Sequence, residues 1–182
     1  AAIEFYDIAG LVAGASEGEG LGNKFLSHIR ETALICHVVR LFDDNDITHV
    51  SDAPDPVEDI ETIETELILA DLSTLSGQKE PRGKASKEEL FTWETIVTVR
   101  DQLDKGIAAR HMSLTDDQLE ALKQFSLLTL KPVLYVFNVS EGQLEDASGT
   151  EKAIQSVLEK TKAQNAQFLY ICARLEAEIV AL

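Results

Sequence analysis

Asp7 and Gly10 stand in an Asp-Ile-Ala-Gly string, followed by Leu11-Val12 and a glycine-dense run, Gly14-Ala15-Ser16-Glu17-Gly18-Glu19-Gly20-Leu21-Gly22-Asn23. Five of the chain's ten glycines fall between Gly10 and Gly22. An aspartate at a strand end can hold the water shell of a Mg²⁺ ion. A glycine amide three residues on can approach a γ-phosphate because no Cβ blocks it. Loss of the phosphate removes that contact and frees the loop. Ile3-Glu4-Phe5-Tyr6 alternates apolar and polar residues, so a strand is expected over Ile3–Asp7, leading into a flexible loop. This is the layout of a nucleotide switch.

The elements that must position such residues follow from periodicity. A helix is expected from Leu21 to about Thr32, with Phe25 and Ile29 on one face. Leu34–Phe42 is a nearly continuous apolar run, the pattern of a strand buried on both sides in a parallel sheet. The polar stretch Asp43–Asp55 follows. Pro56-Val57 opens a long helix in which Ile60, Ile63, Leu67 and Ala70 form a coiled-coil-like seam. Gly77, Pro81 and Gly83 break it. Ser86-Lys87-Glu88-Glu89 has the form of a capping box and starts a second helix, with Trp93, Ile96, Val97 and Leu103 inward and Gly106 ending it. Two helices so joined make an antiparallel helical arm or an ordinary hairpin packed on the core.

Thr115-Asp116-Asp117-Gln118 caps a further helix with Leu119 and Leu122 inside. Strands are expected over Pro132–Asn138 and Phe168–Cys172, and helices over Thr150–Lys162 and Glu176–Leu182. Outside the arm, strands and helices alternate, which predicts an α/β fold with a parallel sheet and flanking helices. Ligands in such sheets bind beyond the carboxyl ends of the strands. Asp7, the loop from Asp43, Asn138 and Cys172 are all expected there.

A chain of 182 residues is long enough for one domain with a sizeable core. Its 16 basic and 32 acidic residues give a net charge of −16, with acidic clusters at Asp43–Asp46 and Asp52–Glu66. A surface this negative repels phosphate backbones, so no nucleic-acid groove is expected in it. Cys36 and Cys172 lie in apolar runs and are expected as small buried hydrophobes rather than a disulfide or metal pair. With no secretory signal and no apolar run of transmembrane length, a soluble cytoplasmic monomer without a membrane partner is expected.

The string DIAGLVAGASEGEGLGNKFLSHIRE, Asp7 to Glu31, resembles the switch II segment of the Obg-like GTPase superfamily, and most of all its YchF branch, the Obg-like ATPases. Three further segments support this in the expected order: His37-Val38-Val39-Arg40-Leu41-Phe42, Phe137-Asn138-Val139-Ser140-Glu141 and Ile171-Cys172-Ala173. The resemblance covers nearly the whole chain. It implies a P-loop NTPase-type α/β fold of the Ras-like, Obg kind with an inserted helical arm. The chain then divides into residues 1–55 (first part of a nucleotide-binding domain), 56–112 (the arm) and 113–182 (second part).

GTPases of this superfamily read guanine with Asn-Lys-x-Asp, whose Asp carboxylate accepts from the guanine N1–H and exocyclic amine. The same place here is Asn138-Val139-Ser140-Glu141. The Lys is missing and the carboxylate sits one methylene further out. Adenine carries an unprotonated N1, which a carboxylate does not favour, and an N6 amine for backbone carbonyls and Asn138. Guanine selectivity should fall and adenine become acceptable, as the resemblance also implies. Asn138 and Val139 would contact the base, with Cys172-Ala173 beneath it. The competing reading is that Asn138 caps a strand and Glu141 is a solvated loop acid.

Ras-like enzymes position the attacking water with a Gln just after Asp-x-x-Gly. That place is Leu11, which cannot orient water. His49, in Asp46-Ile47-Thr48-His49-Val50, is a candidate to orient or activate it as a neutral imidazole. The alternative is that His49 packs locally. His28 and His111 read as surface residues, and His37 as a core or strand-end histidine.

The chain contains no Gly-x-x-x-x-Gly-Lys-[Ser/Thr], the loop that cradles the β- and γ-phosphates. The family's P-loop, first helix and switch I are expected before Ala1, and its TGS domain after Leu182. The arm helices are short for the family, which leaves Ser76–Lys84 open as a join around an absent portion. These residues alone are not expected to hydrolyse nucleotide at a useful rate. For the intact protein, the resemblance implies slow Mg²⁺-dependent hydrolysis of ATP, with GTP also accepted, and ribosome or translation-factor partners. In that reading Asp7 supports Mg²⁺ through water and the Gly10 amide senses the γ-phosphate. Two alternatives stay open: a GTP-preferring Obg-type switch, and a nucleotide-gated binding module that barely turns over.

Overall fold

The computed structural model describes residues 3–7, 21–42, 55–163 and 166–181, the side chains of 21–24 excepted. Gly10, Leu11 and His49, and the loop from Asp43 to residue 54, lie outside the described residues.

The described elements run α1 (Leu21–Glu31), β1 (Ile35–Arg40), α2 (Pro56–Ser76), α3 (Lys87–Leu103), α4 (Asp116–Leu122), β2 (Val133–Asn138), α5 (Glu141–Glu145), α6 (Ala147–Lys160), β3 (Gln167–Ile171) and α7 (Ala173–Val180). Two compact units share them. One comprises residues 1–33 and 62–132, the other 34–61 and 133–182.

The second unit holds a three-stranded sheet of order β1-β2-β3, parallel throughout. Parallel neighbours need long crossovers. Here β1 and β2 are separated by the helical segment, and β2 and β3 by α5 and α6. Val39, Tyr135 and Phe137 from the strands, with Val139 just past β2, meet Ile60, Ile154 and Leu158 from the helices in one core. Arg40 is in register with Asn138, and Asn138 with Ile171, so the strands end level.

Helical packing organises the first unit. Ile68 and Leu75 of α2 share a core with Ile96, Val99 and Leu103 of α3 and Leu122 of α4. The capping box expected at Ser86 forms, and the cap expected at Thr115 is a capping box too. Ser86 accepts from the Glu89 amide at 3.1 Å while Glu89 accepts from the Ser86 amide at 2.7 Å. Thr115 and Gln118 do the same ahead of α4. Gly106 follows α3 with φ +73°, the left-handed region where a Cβ is strained. Buried Asp71 accepts three hydrogen bonds, from the Leu128 and Thr129 amides at 2.8 Å each and the Thr129 hydroxyl at 2.6 Å.

Several expectations are corrected. Ile3–Asp7 is not a strand, and Ile3 is 80%, Phe5 84% and Tyr6 64% exposed. A strand persists only with a neighbouring backbone to complete its ladder, and among the described residues none pairs with it. β1 is not buried on both sides, since Val38 is 64% exposed and Cys36 is exposed as well. Cys36 shares that uncovered face of the pleat, so only Cys172 is the buried cysteine expected. Leu119, expected inside, is 38% exposed, while Leu122 on the same face of α4 is fully buried. The last helix begins at Ala173, three residues before the expected start.

Candidate functional site

Parallel register places the residues after β2 and β3 along one sheet edge. The Leu41 amide donates to the Asn138 carbonyl at 2.9 Å, and the Val139 amide to the Ile171 carbonyl at 2.8 Å, extending both ladders by one residue. The chain then turns on each strand into a helix. Ser140 is the N-cap of α5 and forms a capping box with Gln143. Cys172 is the N-cap of α7 without a side-chain bond of its own.

Asn138 supplies a cap instead. Its Oδ1 accepts from the Ala173 amide at 3.0 Å, satisfying one of the free N–H groups that every helix start leaves. The end of β2 and the start of α7 are thereby joined. Gln143 performs a second tie. Its Oε1 accepts from the Ser140 amide at 2.9 Å, and its Nε2 donates to the Leu41 carbonyl at 3.0 Å. The loop after β2 is thus held to the end of β1.

Of the expected base-contact residues, Asn138, Val139, Glu141, Cys172 and Ala173 come together at this edge. Their side chains divide in two sets. Asn138 is half-buried and Glu141 exposed, whereas Val139 and Cys172 are buried at 1% and 4% exposure. Val139 belongs to the sheet core, so any contact it makes to a ligand runs through its backbone.

Asp7 lies in the other unit, exposed, beside a hollow lined by Phe5, Tyr6, His28 and Glu31. Among the described residues no group of three or more His, Cys, Asp or Glu side chains could hold a metal ion. His37 stands on β1 with its ring 5.6 Å from that of Tyr135, and burial pushes its pKa down to about 4. It is a neutral packing residue near pH 7. Among the described residues no helix is long and apolar enough to cross a membrane.

A model of the 50S ribosome-binding GTPase family matches residues 1–69. The ribosome-binding ATPase YchF of Bacillus subtilis strain 168 is 46% identical over 185 residues, covering 100% of this chain and 50% of that protein. The ribosome-binding ATPase YchF of Escherichia coli O157:H7 is 42% identical over 187 residues, covering 99% of this chain and 50% of the relative. The chain is a YchF homologue along its whole length. It spans about half the length of the curated YchF relatives it matches. The solved structure of the Schizosaccharomyces pombe YchF GTPase superposes with a TM-score of 0.71 at 27% identity, covering 91% of this chain and 46% of that one. The fold is therefore the P-loop NTPase type.

Sequence reasoning missed three residues of this edge, Ser140, Gln143 and Arg174. Ser140-x-x-Gln143 carried a legible signal, the capping-box spacing. Arg174 carried half of one, its i,i+4 spacing to Glu178. The guanidinium Nε of Arg174 lies 3.4 Å from Glu178 and 3.6 Å from Glu141. The second distance depends on the sheet and was not readable along the chain.

Proposed function

We propose that the whole protein carrying this chain is a nucleotide-dependent switch that hydrolyses ATP, tolerates GTP, and acts with the ribosome or translation machinery. The observation that carries this is the level edge of β2 and β3, where Asn138 is bonded to Ala173 beside Glu141. It is supported by similarity along this whole chain to half the length of proteins named ribosome-binding ATPases. With Oδ1 of Asn138 accepting from Ala173, its Nδ2 hydrogens serve to donate to a ring nitrogen of the base. The buried Val139 and Cys172 form an apolar floor. The Val139 amide is bonded to Ile171 and the Cys172 carbonyl to Glu176, so the remaining recognition falls to the other backbone groups of this edge.

Asp7 is assigned to Mg²⁺ through the ion's water shell. An exposed carboxylate suits this mode, because Mg²⁺ keeps several waters and takes its other ligands from the nucleotide phosphates. That ion supplies charge neutralisation on the phosphates when bound. The Gly10 amide is assigned to the γ-phosphate, and His49 to orienting water. The relatives are about twice as long, and we place the phosphate-cradling loop in the part this chain does not span.

The test is equilibrium binding of ATP and GTP, with Mg²⁺, to the full-length protein. ATP is expected to bind at least as tightly as GTP. Preferential GTP binding would replace this reading with an Obg-type GTPase. Single-turnover hydrolysis that stays negligible with ribosomes present would replace it with a non-hydrolysing binding module. For His49→Ala, slower turnover at saturating ATP is expected. Unchanged turnover and affinity would remove His49 from the mechanism.

A further inference from the structure

We infer that Arg174 is a specificity-determining residue, which disfavours guanine by occupying the Glu141 carboxylate. The inference rests on the base site proposed above. A carboxylate reads guanine by accepting two hydrogen bonds, from N1–H and from the exocyclic amine, so both its oxygens must be available. Here the Arg174 Nε lies 3.6 Å from Glu141 Oε1. The same guanidinium is held from its own helix by Glu178 at 3.4 Å, one turn further along α7. Glu141 is fixed from the other side of the edge as the first residue of α5, behind the Ser140–Gln143 capping box. Two helix starts, joined through the Asn138–Ala173 bond, therefore bring these charges within reach of each other.

The consequence is asymmetric between the bases. Guanine must displace Arg174 to reach Glu141, or else leave its two donors without the acceptor. Adenine needs no carboxylate, so it binds with the ion pair intact. Selectivity thus arises from a penalty on the wrong base, one of the two routes by which any site discriminates. The pair is exposed, with side-chain exposures of 79% for Arg174 and 49% for Glu141, and exposed pairs are weak. The effect is therefore a bias of about two- to fivefold in the GTP-to-ATP affinity ratio, the range an exposed pair supplies.

The experiment measures ATP and GTP dissociation constants in the full-length protein for Arg174→Ala, Arg174→Lys, Glu141→Gln with Arg174→Ala, and Asn138→Ala. Arg174→Ala is expected to raise relative GTP affinity by about two- to fivefold. Arg174→Lys should shift it less, and the double variant should lose the gain because an amide offers guanine's two donors one acceptor oxygen and an NH₂ in place of two acceptor oxygens. Salt gives a readout that a merely structural role would not move. Between about 0.1 M and 1 M the screening length falls from ~10 Å to ~3 Å, so the parental ratio should drift toward GTP while that of Arg174→Ala stays flat. Both nucleotides carry the same triphosphate, so its own salt dependence cancels in the ratio. If Asn138→Ala weakens nucleotide binding but Arg174→Ala leaves the ratio and its salt profile unchanged, the Arg174 inference is overturned and the base site stands. If Asn138→Ala leaves both affinities unchanged, the base site itself falls and takes this inference with it.

Discussion

Asn138 Oδ1 and the Ala173 amide are bonded at 3.0 Å, which makes one side chain both the strand terminus of β2 and the helix cap of α7. The two roles that sequence reasoning set against each other, cap or base contact, are compatible, because capping uses only the oxygen. Asn138→Ala should therefore cost both folding and binding. Losing the cap is worth about 1 kcal/mol, measured by urea unfolding. Affinity for ATP and GTP should fall together in the full-length protein. Asn138→Ala with parental stability would show that the bond to Ala173 contributes nothing.

The elements most legible in the sequence were those specified by local chemistry. Ser86-x-x-Glu89 and Thr115-x-x-Gln118 announce helix starts because side chain and backbone satisfy each other within four residues. The apolar run of β2 is legible because the strand is central and flanked on both edges. Failures occurred where the outcome depends on a neighbour. Ile3–Asp7 has the strand alternation but no described partner for its ladder. The apolar run at β1 looked doubly buried, yet Val38 is 64% exposed, and among the described residues only β2 pairs with β1. At the candidate site, Asn138, Glu141 and Cys172-Ala173 were proposed from motif order and lie at one edge, while Arg174 escaped because its approach to Glu141 exists only after folding.

His37 should give the fold an acid-sensitive component. Burial lowers its folded pKa to about 4 from 6.5. On acidification the unfolded chain takes the proton first, so stability is full above about 6.5 and falls as the pH drops toward 4. His37→Phe keeps a ring beside Tyr135 but cannot titrate. Urea midpoints at pH 7, 5.5 and 4.5 should show a smaller acid loss in the variant than in the parent. Parallel curves would mean that His37 is solvated in solution.

Asp71 should act in the opposite direction. Burial raises its pKa, although bonds from Thr129 and Leu128 oppose the shift. A carboxyl whose folded pKa is raised holds its proton longer folded than unfolded. Its contribution is therefore complete at low pH and declines as pH rises above the ordinary carboxylate range through the folded value. Asp71→Asn removes this dependence. It also sets an NH₂ group against donors, since three bonds now converge on the carboxylate and an amide offers one oxygen. A loss of about 1–3 kcal/mol is expected, together with a flatter profile across the carboxylate range. A variant as stable as the parent would mean that Asp71 does not anchor the 128–129 turn.

Rebuilding the guanine-reading pattern suggests placing Lys at Val139, but the structure makes this a folding mutation. Val139 is 1% exposed and packs with Phe137, Ile154 and Leu158. An ammonium there loses its hydration among apolar neighbours. The penalty for such a burial is on the order of several kcal/mol, against a total stability of roughly 5–15 kcal/mol for a domain. Val139→Lys should therefore lower the unfolding midpoint steeply and abolish binding of ATP and GTP alike. Glu141→Asp, at an exposed position, should leave the midpoint within about 0.5 kcal/mol of the parent and alter only the nucleotide ratio. Circular dichroism melts of the two variants separate these outcomes. A Val139→Lys protein that melts like the parent would show that position 139 turns its side chain to the ligand edge, and the base would then be read by a side chain rather than by the backbone.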